Sequence, residues 1–210
     1  MEQKQALIIA NGTLPSRSII NAILAKKKFI LCADGGANAA KRLRITPDVI
    51  LGDFDSIKTS TRAYFKNVQL IHIPEQYSTD LEKAIRYCIE RNISSVEIIG
   101  ATGNRIDHST GSLGCFRKFG NTIEMKIIDC IGEITLIKTT TTITTQRGEK
   151  ISLIPLERCE GVTTTNLLYE LNNDTLALGL REGISNEAMK KHVTISVQKG
   201  TLLLYRFHKQ

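Results

Sequence analysis

"VILGDFDSIK", residues 49–58, sets a short apolar run directly before two aspartates separated by one phenylalanine. Such a run reads as a strand covered on both faces, and acids at its end read as a loop on the carboxyl edge of a sheet. The sequence on either side repeats the arrangement. "ALIIA" (6–10), "FILCA" (29–33), "VIL" (49–51), "QLIHI" (69–73), "VEIIG" (96–100) and "MKIID" (125–129) are predicted strands. Helical patterns fall between them, near 16–26, 37–43, 59–65, 79–91 and 109–118. Strands joined by helices through right-handed crossovers give a parallel sheet covered on both sides, so residues 1–130 are expected to form an α/β/α domain.

After residue 130 the pattern changes. "EITLIKTTTTITTQRGEKISLIPL", "VTTTNLLYEL", "DTLALG", "HVTISVQKG" and "TLLLYRF" are rich in threonine and branched apolar residues, with short turns between them and Gly148 at one of the turns. β-Branched residues at this spacing predict an antiparallel β-sandwich over 131–210. The expected fold is α/β followed by all-β, two domains with no flexible linker between them.

Composition narrows the class only a little. A chain of 210 residues, 41% hydrophobic and 23% charged, is long enough for a well-buried core. No apolar run approaches the roughly 20 residues needed to cross a bilayer, and "MEQKQALIIANG" lacks the apolar segment of a secretory signal, so a soluble cytoplasmic protein is expected. Cys32, Cys88, Cys115, Cys130 and Cys159 are odd in number and without a CxxC pair, which argues for buried reduced thiols. The net charge of +7 fits nucleic acid, an anionic small substrate or plain solubility. Its one run of three, Lys26–Lys28, falls where a helix is expected to end, on the negative pole of the helix dipole. A nucleic-acid partner is not expected, since no aromatic stacking signature accompanies the charge.

The acids are more informative than the bases. "ADGGAN" (33–38) follows the second predicted strand, "GDFDS" (52–56) the third, "STDLEKA" (78–84) the fourth and "GATGNRIDH" (100–108) the fifth. In a parallel sheet these carboxyl ends share one edge, where ligands bind. Asp34, Asp53, Asp55, Asp80 and Asp107 would then meet on one rim, where unpaired carboxylates repel and hold protons. A divalent cation relieves that repulsion, and magnesium prefers a few hard carboxylate ligands together with water and phosphate oxygens. Gly35 and Gly36 permit close backbone approach, the next helix offers its amides to an anion, and Arg105 adds a planar donor pair.

Each motif also has a structural reading. Asp34-Gly35 and Asp53 suit turns, Thr79 with Glu82 fits a capping box, and Asp80 suits the positive end of the same helix. His108 is either an orienting, phosphate-contacting group or a packed histidine. His72, His192 and His208 show no ligand spacing. Two acids flanking a phenylalanine directly after a strand exceed what one turn requires.

In order and spacing, "ADGGAN", "GDFDS", "TDLEKA", the "GxRxDH" form of "GNRIDH", "NNDTLALG" and "GISNE" (183–187) resemble the thiamine pyrophosphokinase family over nearly the whole chain. The resemblance implies an N-terminal α/β domain that binds ATP and magnesium, a C-terminal β-sandwich, and a homodimer holding thiamine between its subunits. It implies Asp53, Asp55 and Asp80 as magnesium ligands. Asp34, Gly35, Gly36, Asn38, Thr79, Arg105, Asp107 and His108 are implied to line the nucleotide and phosphate site, with Ser185 and Asn186 at the aminopyrimidine of thiamine. The implied reaction is attack of the thiamine hydroxyl on the β-phosphorus of ATP, with Asp80 or Asp107 as proton acceptor and AMP as leaving group. Positioning and charge neutralisation would supply most of the catalysis.

Two positions depart from the family pattern. Gln76 and Tyr77 stand where Lys-Asp is frequent, and "NLLY" (166–169) replaces "GLKY". Asn166 can adopt the left-handed backbone of the glycine, whereas Leu168 cannot replace a cation. A diphosphokinase for a hydroxymethyl pterin, or a magnesium-dependent nucleotide hydrolase, would use the same acids with a different acceptor.

Overall fold

In the computed structural model, which describes residues 4–26, 28–103 and 105–208, the chain divides into two compact units, Met1–Cys130 and Ile131–Gln210. Lys27 of the lysine run and Asn104 of "GNRIDH" lie outside the described residues.

The first unit alternates strand and helix: β1 (Gln5–Ile9), α1 (Arg17–Leu24), β2 (Phe29–Ala33), α2 (Gly36–Leu43), β3 (Val49–Gly52), α3 (Thr59–Tyr64), β4 (Gln69–His72), α4 (Asp80–Glu90), β5 (Ser95–Ile99), α5 (Ile106–Phe119) and β6 (Glu124–Ile128). Its strands lie side by side in the order β6-β5-β1-β2-β3-β4, every pairing parallel. Register explains why these runs are apolar throughout. Ile9, Cys32, Ile50 and Ile99 pack with Ile20, Ala37, Ala40 and Phe65 of the helical layer on one face. Ile8, Leu31, Val49 and Ile98 turn to the other face, where α4 lies against β2 and β3. Each fully buried isoleucine or leucine contributes about 1.5–3 kcal/mol, so both faces stabilise the sheet.

The second unit contains β7 (Gly132–Ile137), β8 (Thr140–Thr144), β9 (Lys150–Pro155), β10 (Cys159–Thr165), β11 (Asp174–Leu176), β12 (Gly183–Glu187), β13 (His192–Ser196) and β14 (Leu202–Phe207). They form two antiparallel layers, ordered β12-β9-β14-β7 and β11-β10-β13-β8. Ile137, Ile151, Leu153 and Leu204 from the first layer meet Val162, Leu176, Val193 and Ile195 from the second in one core, the expected sandwich. The threonine run is strand β8, which pairs along its length with β13. Asn166 takes φ 64, the left-handed conformation its place in "NLLY" demands, and its side chain donates to His192 O at 2.9 Å.

Three sequence expectations are corrected. Helix α5 begins at Ile106 rather than 109, which draws Asp107 and His108 into its first turn. Lys28 of the lysine run is not on the pole of α1, which ends at Leu24 with no basic residue in its last turn; it instead forms an ion pair with Glu97. Cys32, Cys88, Cys115 and Cys159 are buried free thiols, but Cys130 is exposed. Burial pushes the Cys88 and Cys115 thiols up to about 12 and the Cys159 thiol to about 11, so none of these three is poised as a nucleophile. No helix among the described residues is long and apolar enough to cross a membrane.

Candidate active site

Strand order reverses between β1 and β5, and a crevice at the carboxyl ends of such strands is where α/β sheets take ligands. A cavity of about 820 Å³ opens there, lined by the loops that follow β1 to β5 and by the first turns of α4 and α5. That size accommodates a nucleotide-sized ligand. Asp34, Gly35, Asp53, Asp55, Thr79, Asp80, Arg105, Asp107 and His108 all line it. Two expected residues do not. Gly36 is held by packing, since a Cβ there would stand 2.0 Å from Ile9 O. Asn38 braces the acidic loop: its amide donates to Ser56 O at 2.8 Å and accepts from Lys58 N at 3.1 Å.

The acidic loop turns on two unusual backbone positions. Gly52 has φ 149, and a Cβ there would lie 2.7 Å from the Asp34 Cβ and 3.2 Å from Asp80 Oδ1, so only glycine lets these acids close on the strand end. Phe54 has φ 69, a strained conformation for a bulky residue. Its ring is held by stacking on His72 at 5.5 Å and by the Arg62 guanidinium 5.5 Å from its centre. The phenylalanine between the acids is thus an anchor that lets Asp53 and Asp55 both face the cavity.

Carboxylate oxygens of Asp34, Asp53 and Asp80 lie within 4.8 Å of one another. Asp34 is only 2% exposed; its Oδ2 accepts from Ser56 N at 3.1 Å, while Oδ1 is buried without a hydrogen-bond donor. Desolvation raises the Asp34 carboxyl above the usual range, and the neighbouring Asp80 adds to the rise. Asp80 is likewise raised, chiefly by desolvation, against the pull of Lys83. Asp53 is lowered, first by the Gln76 amide, which donates to its Oδ2 at 3.0 Å, and then by Asp55 N. Three hard carboxylates within this distance, together with an Asp34 oxygen that is buried and has no donor, suit a divalent cation. Asp55 stands on the same rim, with Oδ1 accepting from Ser56 Oγ at 2.8 Å.

Arg105, Asp107 and His108 line the same cavity at the start of α5. Arg105 grips Asp107 through two bonds of 3.0 and 2.5 Å, which hold the Asp107 carboxyl well below its usual range. Thr79 caps α4 by accepting from Glu82 N at 3.2 Å. The Glu82 carboxylate pairs with Lys118 of α5 at 2.6 Å and with Arg86 at 3.6 Å. Sequence reasoning missed the loop after β1, whose Asn11, Gly12 and Thr13 line the cavity, with Gly12 N donating to Gly100 O at 2.7 Å. Its signal was "NGT" directly after a strand. Gln76, read as a departure, supports Asp53, while Tyr77 is fully exposed. Ser185 and Asn186 sit on β12 of the second unit. Ser185 is exposed with φ 57, whereas Asn186 is buried, its amide donating to Tyr169 O at 2.7 Å and accepting from Tyr169 N at 3.0 Å.

A parallel sheet whose carboxyl edge gathers hard acids, glycine loops and helix amino ends is the frame of an enzyme that handles phosphates with a divalent cation. Residues 20–128 match the thiamin pyrophosphokinase catalytic domain and residues 138–202 the vitamin B1 binding domain of the same enzymes. The chain belongs to the thiamine pyrophosphokinase family. It is 32% identical over 169 residues to thiamine pyrophosphokinase of Bacillus subtilis, covering 77% of this chain and 79% of that protein. It is 29% identical over 221 residues to thiamine pyrophosphokinase 1 of Arabidopsis thaliana, covering 91% and 82%. The crystal structure of the Bacillus subtilis enzyme superposes with a TM-score of 0.84 at 27% identity, spanning 99% of this chain and 100% of that one.

Proposed function

We propose that this protein is a magnesium-dependent thiamine diphosphokinase that works in the cytoplasm, moving the terminal diphosphate of ATP to the hydroxyl of thiamine and releasing AMP. Residues 1–130 are the ATP- and magnesium-binding catalytic domain; 131–210 bind thiamine and join two copies. The observation that carries the reading is the convergence of Asp34, Asp53 and Asp80 in a nucleotide-sized cavity, with Asp34 Oδ1 left without a donor.

Asp53 and Asp80 hold magnesium in this reading, joined by Asp34 of the same oxygen cluster and by Asp55 from the rim beside it. Bound there, magnesium withdraws charge from phosphate oxygens and lets the acids stay ionised side by side. Gly35, Thr79, Arg105 and His108 bind and orient the nucleotide. Asn38 fixes the loop that carries Asp53 and Asp55. A bond forms from the thiamine hydroxyl oxygen to Pβ as the bond from Pβ to the oxygen bridging to Pα breaks, and AMP leaves with that oxygen. An aspartate of the site, Asp80 or Asp107, accepts the hydroxyl proton in this reading, since both line the cavity. Ser185 contacts the aminopyrimidine, on a strand that Asn186 braces through Tyr169. Exposed Leu168, Tyr169, Leu178, Leu180 and Ile184 support a homodimer built on the second unit.

The test is incubation with ATP and magnesium, with and without thiamine, followed by mass identification of the products. AMP and thiamine diphosphate formed together, and only when thiamine is present, are expected. AMP formed equally without thiamine would mean hydrolysis instead.

A further inference from the structure

Lys83 has no role in any motif reading above, yet its surroundings are unusual. It stands in the first turns of α4, where the helix dipole is positive and a cation is disfavoured. Its side chain is only 3% exposed, and lysine is almost never buried so completely unless paired. The pairing it has is thin. Nζ donates to Asp80 Oδ1 at 3.2 Å, the one hydrogen bond it makes among the described residues, which leaves two of its three donors unused. Lys83 also lines the cavity, among Asp34, Asp53, Asp55 and Asp80. Neutralising those acids does not explain it, because a cation fixed there competes with the metal the acids are arranged to hold. An anionic group entering the cavity would satisfy both spare donors.

We propose that Lys83 is a further substrate-binding residue, its ammonium donating to phosphoryl oxygens of the nucleotide beside the metal. The inference rests on the ATP-binding reading of the cavity. It assigns the two charges complementary tasks: the carboxylates hold the cation, and Lys83 holds the anion that comes with it. Asp80, bonded to Lys83, keeps the ammonium aimed inward before the nucleotide arrives.

The probe is α,β-methylene-ATP, which cannot transfer its diphosphate because carbon replaces the bridging oxygen, titrated calorimetrically at saturating magnesium. Manganese alone is titrated in parallel, and thermal melts establish that each variant is folded. Lys83→Met is expected to bind the analogue about ten- to a hundredfold more weakly, the range for losing a charge-assisted hydrogen bond. Manganese affinity in the same variant should be unchanged or higher. Lys83→Arg, which keeps the charge, should bind the analogue within a few-fold of the unaltered protein, and Lys83→Gln should behave as Lys83→Met does. Equal analogue affinity in the unaltered protein and both neutral variants would overturn the inference, and either neutral variant suffices if the other does not fold. Failure of the unaltered protein to bind the analogue at all would instead sink the ATP reading.

Discussion

At the scale of single residues, the site is defined by groups placed where they are uncomfortable without a ligand. Asp34 is nearly inaccessible, carries one oxygen without a donor and has a raised carboxyl. Because its folded value lies above its unfolded one, its stabilising effect is full below the ordinary carboxylate range. It is lost as pH rises through the raised value. At pH 7 the metal-free protein therefore carries an unfavourable charge there. Asp34→Asn should raise the metal-free melting temperature at pH 7 by a few degrees, at about 2–4 °C per kcal/mol, with the gain shrinking in mild acid. Magnesium should then raise the melting temperature of the unaltered protein more than that of the variant. A variant that melts lower at every pH and responds to magnesium as the unaltered protein does would refute the role given to Asp34.

At the scale of elements, strand ends and helix starts do the positioning. Gly52 closes β3 so tightly on Asp34 and Asp80 that Gly52→Ala must push both acids apart, at a left-sided φ that alanine also resists. Loss of magnesium binding is expected from this one methyl group, checked by titration calorimetry beside a thermal melt; unchanged metal affinity would contradict it. The β-α repeat was legible because strands buried on both faces are apolar throughout, and four of the five loops of one edge followed from their acids and glycines at strand ends, the loop after β1 carrying no acid to mark it. The acidic rim was legible for the same reason. Other features were not, because they depend on contacts distant in sequence. Asn38 reads like a ligand residue, but it braces a loop some 20 positions away. Glu82 fits a capping box, yet its carboxylate bridges to Lys118, 36 positions on. The start of α5 at Ile106 was hidden by "TGNR", which looks like loop.

At the scale of the whole molecule, the two units divide the labour in the proposed reaction. The first supplies the charged cavity. The second exposes Leu178, Leu180 and Ile184 on and beside β12, an apolar set costly to leave in water and suited to a second copy of the chain. Sedimentation should give the mass of a dimer, and Ile184→Glu should shift it toward the monomer without lowering the melting temperature of the isolated fold by more than a few degrees. A monomer in both cases would remove the dimer from the proposal. The central claim is that separate acidic loops converge to hold one divalent cation beside the nucleotide. Its most direct test is a crystal grown with manganese and α,β-methylene-ATP, read by anomalous scattering. A manganese peak bound by carboxylate oxygens of Asp53 and Asp80 and by phosphate oxygens is expected. A nucleotide in the cavity with no metal on those acids, or manganese bound elsewhere, would contradict it.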